Sequence, residues 1–154
     1  MSNQAIDELA NKLMHLISVD DDNEVEINQI LSDCMHITYI KETINKPMGD
    51  LCETMLMWAV WRFKILVVEK LLQLGANPRY INPSMESVST YWREDKIIAN
   101  EQMAINIARL LHNNGANLAM PSHWSYDIVK RSLKINSIQL SEALKDMGYT
   151  HTHK

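Results

Sequence analysis

Three stretches of this chain end in the same way. Leu71-Leu72-Gln73-Leu74-Gly75-Ala76-Asn77 returns as Leu110-Leu111-His112-Asn113-Asn114-Gly115-Ala116-Asn117, and a shorter copy is Ala143-Leu144-Lys145-Asp146-Met147-Gly148. Glycine adopts the left-handed backbone conformation that closes a helix C-terminus, so each stretch reads as a helix followed by its stop. The stops fall 40 and then 33 residues apart, at positions 75, 115 and 148. Self-similarity at a period of a few tens of residues marks a repeat architecture, in which one unit cannot bury its apolar face without neighbours of the same kind.

The segment from Glu53 to Asn82 is the most complete unit. Thr54 can cap a short helix carrying Leu56, Ala59 and Val60, and Val67, Val68, Leu71 and Leu72 give a second helix a matching apolar face. Gly75 ends that helix, and Pro78 prevents its continuation.

Residues 54 to 76 resemble an ankyrin repeat, whose pattern begins with Thr-Pro-Leu-His and closes on Leu-Leu-x-x-Gly-Ala. Thr54, Leu56, Ala59, Val68, Leu71, Leu72, Gly75 and Ala76 fit without a gap, and Val67 replaces an isoleucine. Met55 stands for the proline, Met57 for the histidine, Val60 for an alanine, and Phe63-Lys64 for the Gly-His between the helices, which marks a divergent member. The resemblance implies an all-α, ankyrin-repeat-like solenoid of about four helix-turn-helix repeats with degenerate capping repeats.

On that reading residues 1–150 form a single domain with repeats at about 2–46, 50–82, 84–119 and 122–149, and 151–154 are a disordered tail. In the first repeat, Ile6, Leu9, Ala10, Leu13 and Ile17 fall at helical spacing, with Asp7 and Glu8 expected in the first turn. Val25, Ile27, Ile30 and Leu31 supply a second helix ending near Cys34; Met35 to Ile40 is an irregular apolar exit, and residues 41 to 51 are expected as loop, forming the family's finger in lengthened form. In the third repeat, Ser87 to Lys96 is expected as the first helix, and Asn100 caps a second carrying Ala104, Ile107, Ala108, Leu110 and Leu111. Insertion of residues 93 to 98 would lengthen that first helix or the turn after it. In the fourth, Tyr126, Ile128, Val129 and Leu133 are expected to face inward, as are Ile138, Leu140, Ala143 and Leu144.

Composition narrows the function. Apolar residues make up 46% of the chain, with ten methionines against one phenylalanine, which suits an adaptable helical core. Residues 1–77 hold 6 basic and 12 acidic side chains and residues 78–154 hold 9 and 7. A net charge of −4 with no concentrated basic face disfavours nucleic acid; Lys130, Arg131 and Lys134 make only a small cluster, read as a solvated helix face. Met1 to Ala10 carries two acids and no base, and no run of eighteen apolar residues occurs, so neither secretion nor membrane insertion is expected. Two cysteines do not make a disulfide framework, and a cytoplasmic location follows, including delivery into a host cell if the chain is a bacterial effector.

No cofactor or metal is expected. Asp20, Asp22 and Glu24 imitate a calcium loop, but Val25 and Leu31 stand where its glycine and bidentate glutamate belong. Cys34, His36 and Cys52 lack paired ligand spacing, and no nucleophile elbow or phosphate-binding glycine loop is present. A catalytic pair of Cys34 or Cys52 with His15, His36, His112 or His123 stays open as an alternative, because such partners meet in space rather than in sequence. Inter-repeat polar contacts account for His112 and His123 more simply.

The resemblance implies a protein-protein interaction module that contacts its partner through finger loops and the exposed side of each first helix; a monomer is expected, although the sequence does not fix the oligomeric state. Carried onto the matching repeat, those positions are Asp50, Leu51, Glu53, Trp61 and Arg62, and Tyr91, Trp92 and Arg93 extend the surface into the next repeat. Tryptophan and arginine are enriched at binding hot spots. Trp61 either meets a partner or fills space beside the inserted residues, whereas Trp58 takes an apolar core position. Divergent repeats in a short chain also suit a bacterial effector or a small inhibitor or immunity protein, and self-association is a further alternative.

Overall fold

The computed structural model describes residues 3–19, 23–34, 39–119 and 126–149, and among them it is all-α, with one isolated bridge between Met48 and Glu53 and no strand. The chain divides into two compact units, Met1–Asn77 and Pro78–Lys154.

The first unit contains α1 (Asn3–Ser18), α2 (Glu24–Cys34), α3 (Ile40–Ile44), α4 (Met55–Trp61) and α5 (Ile65–Gln73). Within it α1 packs on α2 and α4 on α5, and the two pairs meet like on like, α1 against α4 and α2 against α5. Leu13, Leu16 and Ile17 from α1, Ile27 and Ile30 from α2, and Leu56, Ala59, Val60, Val68 and Leu71 from the second pair are buried together. At ~25 cal/mol per Å² of apolar surface removed from water, each large side chain among them contributes roughly 1.5–3 kcal/mol.

Several residues fall elsewhere than their spacing suggests. Val25 is 79% exposed, because the buried face of α2 runs through Ile27, Ile30 and Cys34 and leaves Val25 on the opposite side. Asp7 and Glu8 lie beyond the first turn, since α1 already begins at Asn3. Part of the expected 41–51 loop is helical: α3 tucks Ile40 and Ile44 into the core. Trp58 is half-buried rather than core. The expected exit over residues 35 to 38 lies outside the described residues.

Pro78–Lys154 contains α6 (Glu94–Ala99), α7 (Glu101–Asn113), α8 (Ile128–Lys134) and α9 (Ile138–Asp146), with α6 on α7, α8 on α9 and α7 against α9. Its core holds Trp92, Ile97, Ala104, Ile107, Ala108, Leu111, Ile128, Leu140 and Leu144. The segment expected as a helix over 87–96 is instead a tight serine-rich turn followed by the short α6. The Ser87 amide donates to Thr90 Oγ1 (3.0 Å), the Thr90 hydroxyl donates back to the Ser87 carbonyl (3.2 Å), and the Ser89 amide donates to Ser87 Oγ (3.1 Å). Such side-chain bonds to nearby backbone compete directly with the helical ladder. In the last pair Tyr126, Leu133 and Ile138 are exposed, not inward. The buried Ser132 takes an inward place on α8, with its hydroxyl bonded to the Val129 carbonyl, and Ile138 lies opposite the buried Leu140–Ala143–Leu144 face of α9.

The helix stops share one hydrogen-bond pattern. Gly75, Gly115 and Gly148 have φ of 98°, 93° and 102°, and the amide after each glycine donates to a carbonyl five residues back: Ala76 to Leu71, Ala116 to Leu111, Tyr149 to Leu144. A second pattern lies between helices. Phe63 (φ 56°) and Asn136 (φ 55°) turn α4 into α5 and α8 into α9, with Lys64 donating to Ala59 and Ser137 to Ser132. Capping follows the sequence: Thr54 accepts from the Met57 amide, Asn100 from Met103 and Asp127 from Lys130.

Candidate functional site

The expected surface in the first unit is built around a finger. Met48 and Glu53 exchange two backbone hydrogen bonds of 2.8 and 3.0 Å, which close a four-residue tip at Gly49-Asp50-Leu51-Cys52. Gly49 and Cys52 both have positive φ, at 70° and 53°, so the tip is tightly turned and Cys52 is held in a conformation that costs a non-glycine residue about 1–2 kcal/mol. Asp50 is exposed and Leu51 is 55% exposed, while Glu53 is half-buried in the bridge. The base of the finger is anchored by Asn45, whose amide nitrogen donates to the Gly75 carbonyl (2.9 Å) and whose oxygen accepts from the Asn77 amide (2.7 Å).

Trp61 ends α4 with 36% of its surface in water. Its neighbour Arg62 serves a different purpose. The guanidinium donates to the Ser18 carbonyl (2.8 Å), and Lys64, almost wholly buried, donates its ammonium to the Val19 carbonyl (2.9 Å). Both cations sit at the C-terminal end of α1, where the last carbonyls lack helical partners and the macrodipole favours positive charge. Arg62 therefore pins one helix pair to the next. Lys64, which spacing did not single out, does the same.

No known family model matches this chain, and no curated protein matches it.

The second-unit candidates do not form a surface. Tyr91 is 7% and Trp92 1% exposed, and the Trp92 indole nitrogen donates to the Val88 carbonyl (2.8 Å). The serine-rich turn folds these aromatics inward, where a helix over 87–96 would have carried them outward. Arg93 is half-buried and forms a two-point ion pair with Asp95, at 3.2 and 2.8 Å. The small basic cluster is likewise occupied by acids: Arg131 and Lys134 share Glu94 at 3.2 Å each, and Lys130 pairs with the buried Asp127 at 3.3 Å. Arg131 and Lys134 also lie over the Tyr126 ring, which is why that tyrosine stays at the surface.

Two chemical alternatives can be compared with the geometry. Both cysteines are free thiols. Burial, reinforced by the neighbouring Asp33 carboxylate, pushes the Cys34 thiol up to about 11, the reverse of the lowered value that an attacking thiolate needs. Among the described residues no three His, Cys, Asp or Glu side chains gather as a metal site, and the calcium-like Asp20 and Asp22, with His36 and His123, lie outside them. His112 meets the Tyr149 hydroxyl at 2.7 Å, and that hydroxyl donates to the Ala116 carbonyl (3.1 Å), so the ring joins α7 to the end of α9. No helix among the described residues is long and apolar enough to cross a membrane.

Proposed function

We propose that this chain is a divergent ankyrin-like protein whose work is to hold another protein, with the contact made by Asp50, Leu51 and Trp61. The observation that carries the reading is that two large apolar side chains of the first unit stay exposed, Leu51 on the hydrogen-bonded finger tip and Trp61 at the end of α4. The like-on-like packing of α1 with α4 and α2 with α5, and the shared hydrogen bonds at Gly75, Gly115 and Gly148, support assigning the helix pairs to one kind of repeat. Arg62 is assigned to the scaffold. A cytoplasmic place of action, in the producing cell or in a host cell, goes with this reading, as does a role as effector or small inhibitor.

The test is affinity capture with the wild type beside a Leu51→Ser/Trp61→Ala variant that keeps Arg62 and Lys64. A partner lost from the variant while its thermal unfolding is unchanged supports the surface. Equal retention by a folded variant overturns it. Arg62→Ala is expected to lower stability instead, which separates the scaffold role from recognition.

A further inference from the structure

A groove of about 360 Å³ runs between α8 and α9 in the second unit. Leu133 and Ile138 line it and are 41% and 68% exposed, and Ser141 is the small residue between them and the charged Glu142 and Lys145. Those two charges stand one turn apart on α9, and neither makes an ion pair within the described residues.

We propose that this groove is where a second copy of the chain docks, across a two-fold axis perpendicular to α9. Such an axis turns α9 antiparallel to its counterpart, so Glu142 of each copy faces Lys145 of the other and both unpaired charges are satisfied twice over. A face carrying an acid and a base one turn apart is complementary to itself in that orientation. Ser141 lets the two helices approach closely, and Leu133 and Ile138 of both copies are removed from water on either side of the axis. A partner with a uniformly acidic or basic face would leave one of the two charges opposed by its like, which selects against such a protein.

The experiment is sedimentation equilibrium of the full chain over a wide concentration range, with Glu142→Lys and Lys145→Glu variants alone and mixed. The wild type is expected to dimerise. Each variant alone is expected to associate at least about tenfold more weakly, because like charges then face one another across the axis. The mixture restores both attractive pairs and is expected to recover a heterodimer of near wild-type strength. Ile138→Ser is expected to weaken the wild-type dimer without changing the far-ultraviolet circular dichroism. A wild type that stays monomeric, variants that dimerise like the wild type, or a mixture that gains nothing over its components would each overturn the proposal. Both charged positions are exposed, so the variants fold independently of the outcome.

Discussion

Glu101 offers the clearest test of how the second unit is held together. Helices α4, α7 and α8 are capped by their own preceding residue, but the Ser137 side chain does not cap α9. The Glu101 carboxylate, projecting from the first turn of α7, takes that role: it accepts from the Ser137 hydroxyl and from the Leu140 amide at 3.4 Å. Truncation by Glu101→Ala removes an N-cap, ordinarily about 0.5–2 kcal/mol, together with a carboxylate at the positive end of a helix, about 0.3–1 kcal/mol. The Leu140 bond is long and Glu101 is partly solvated, so the expected loss is about 2 kcal/mol and not the upper sum. Glu101→Gln keeps an acceptor and loses only the charge, so about 0.3–1 kcal/mol is expected.

Because the chain divides into two compact units, a single melting temperature can mix two events, and a local readout is preferable. Native-state hydrogen exchange at the Leu140 amide reports on the cap itself. Protection there should fall by about a factor of ten or more in Glu101→Ala and by clearly less in Glu101→Gln. A double-mutant cycle with Ser137→Ala should show coupling of roughly 0.5–1.5 kcal/mol. If Ala and Gln variants lose equal protection, or if the cycle shows no coupling, the inter-helix cap is wrong.

Asn136 turns α8 into α9 at positive φ, so Asn136→Gly should be neutral or gain a few tenths of a kcal/mol, whereas the β-branched Asn136→Val should lose about 1–2 kcal/mol in urea unfolding. The Cys34 thiol is raised from 9.0 to about 11, so the folded state holds this proton more tightly than the unfolded chain. Its contribution is whole below pH 9 and is lost as pH climbs to 11; wild-type stability should therefore fall more steeply across that window than that of Cys34→Ala. Thiol labelling at neutral pH should reach Cys52 well before the buried Cys34.

What the sequence made legible was punctuation. Thr54, Asn100 and the three glycines act through bonds to backbone within a few residues, so their roles are written locally, and the helices they bound were found nearly at their ends. The all-α class followed from the same signals. Where local chemistry is ambiguous, apolar spacing misleads. The run Ser87-Val88-Ser89-Thr90-Tyr91-Trp92 has apolar residues at a spacing compatible with a helix, but three hydroxyl side chains within four positions offer the backbone competing partners, and the turn they build carries Tyr91 and Trp92 inward. Three serine or threonine residues in four positions were the available signal.

The division of labour within the candidate surface was not legible, and the reason is physical. Trp61, Arg62 and Lys64 stand within four positions, and residue type alone assigns the first two equally well to recognition. What separates them is the C-terminus of α1, more than forty residues earlier in the chain, whose carbonyls at Ser18 and Val19 need donors and find them in Arg62 and Lys64. An unsatisfied helix end is a property of two elements brought together, so no window around residue 62 contains it. Lys64 makes the point more strongly, since a lysine this buried is stable only where its ammonium is hydrogen-bonded. Replacing Lys64 by methionine would keep the stem and remove the donor, leaving the Val19 carbonyl without this partner. The resulting loss, about 1–3 kcal/mol, would fall on the junction of α1 with α4, while Leu51 and Trp61 kept their exposure.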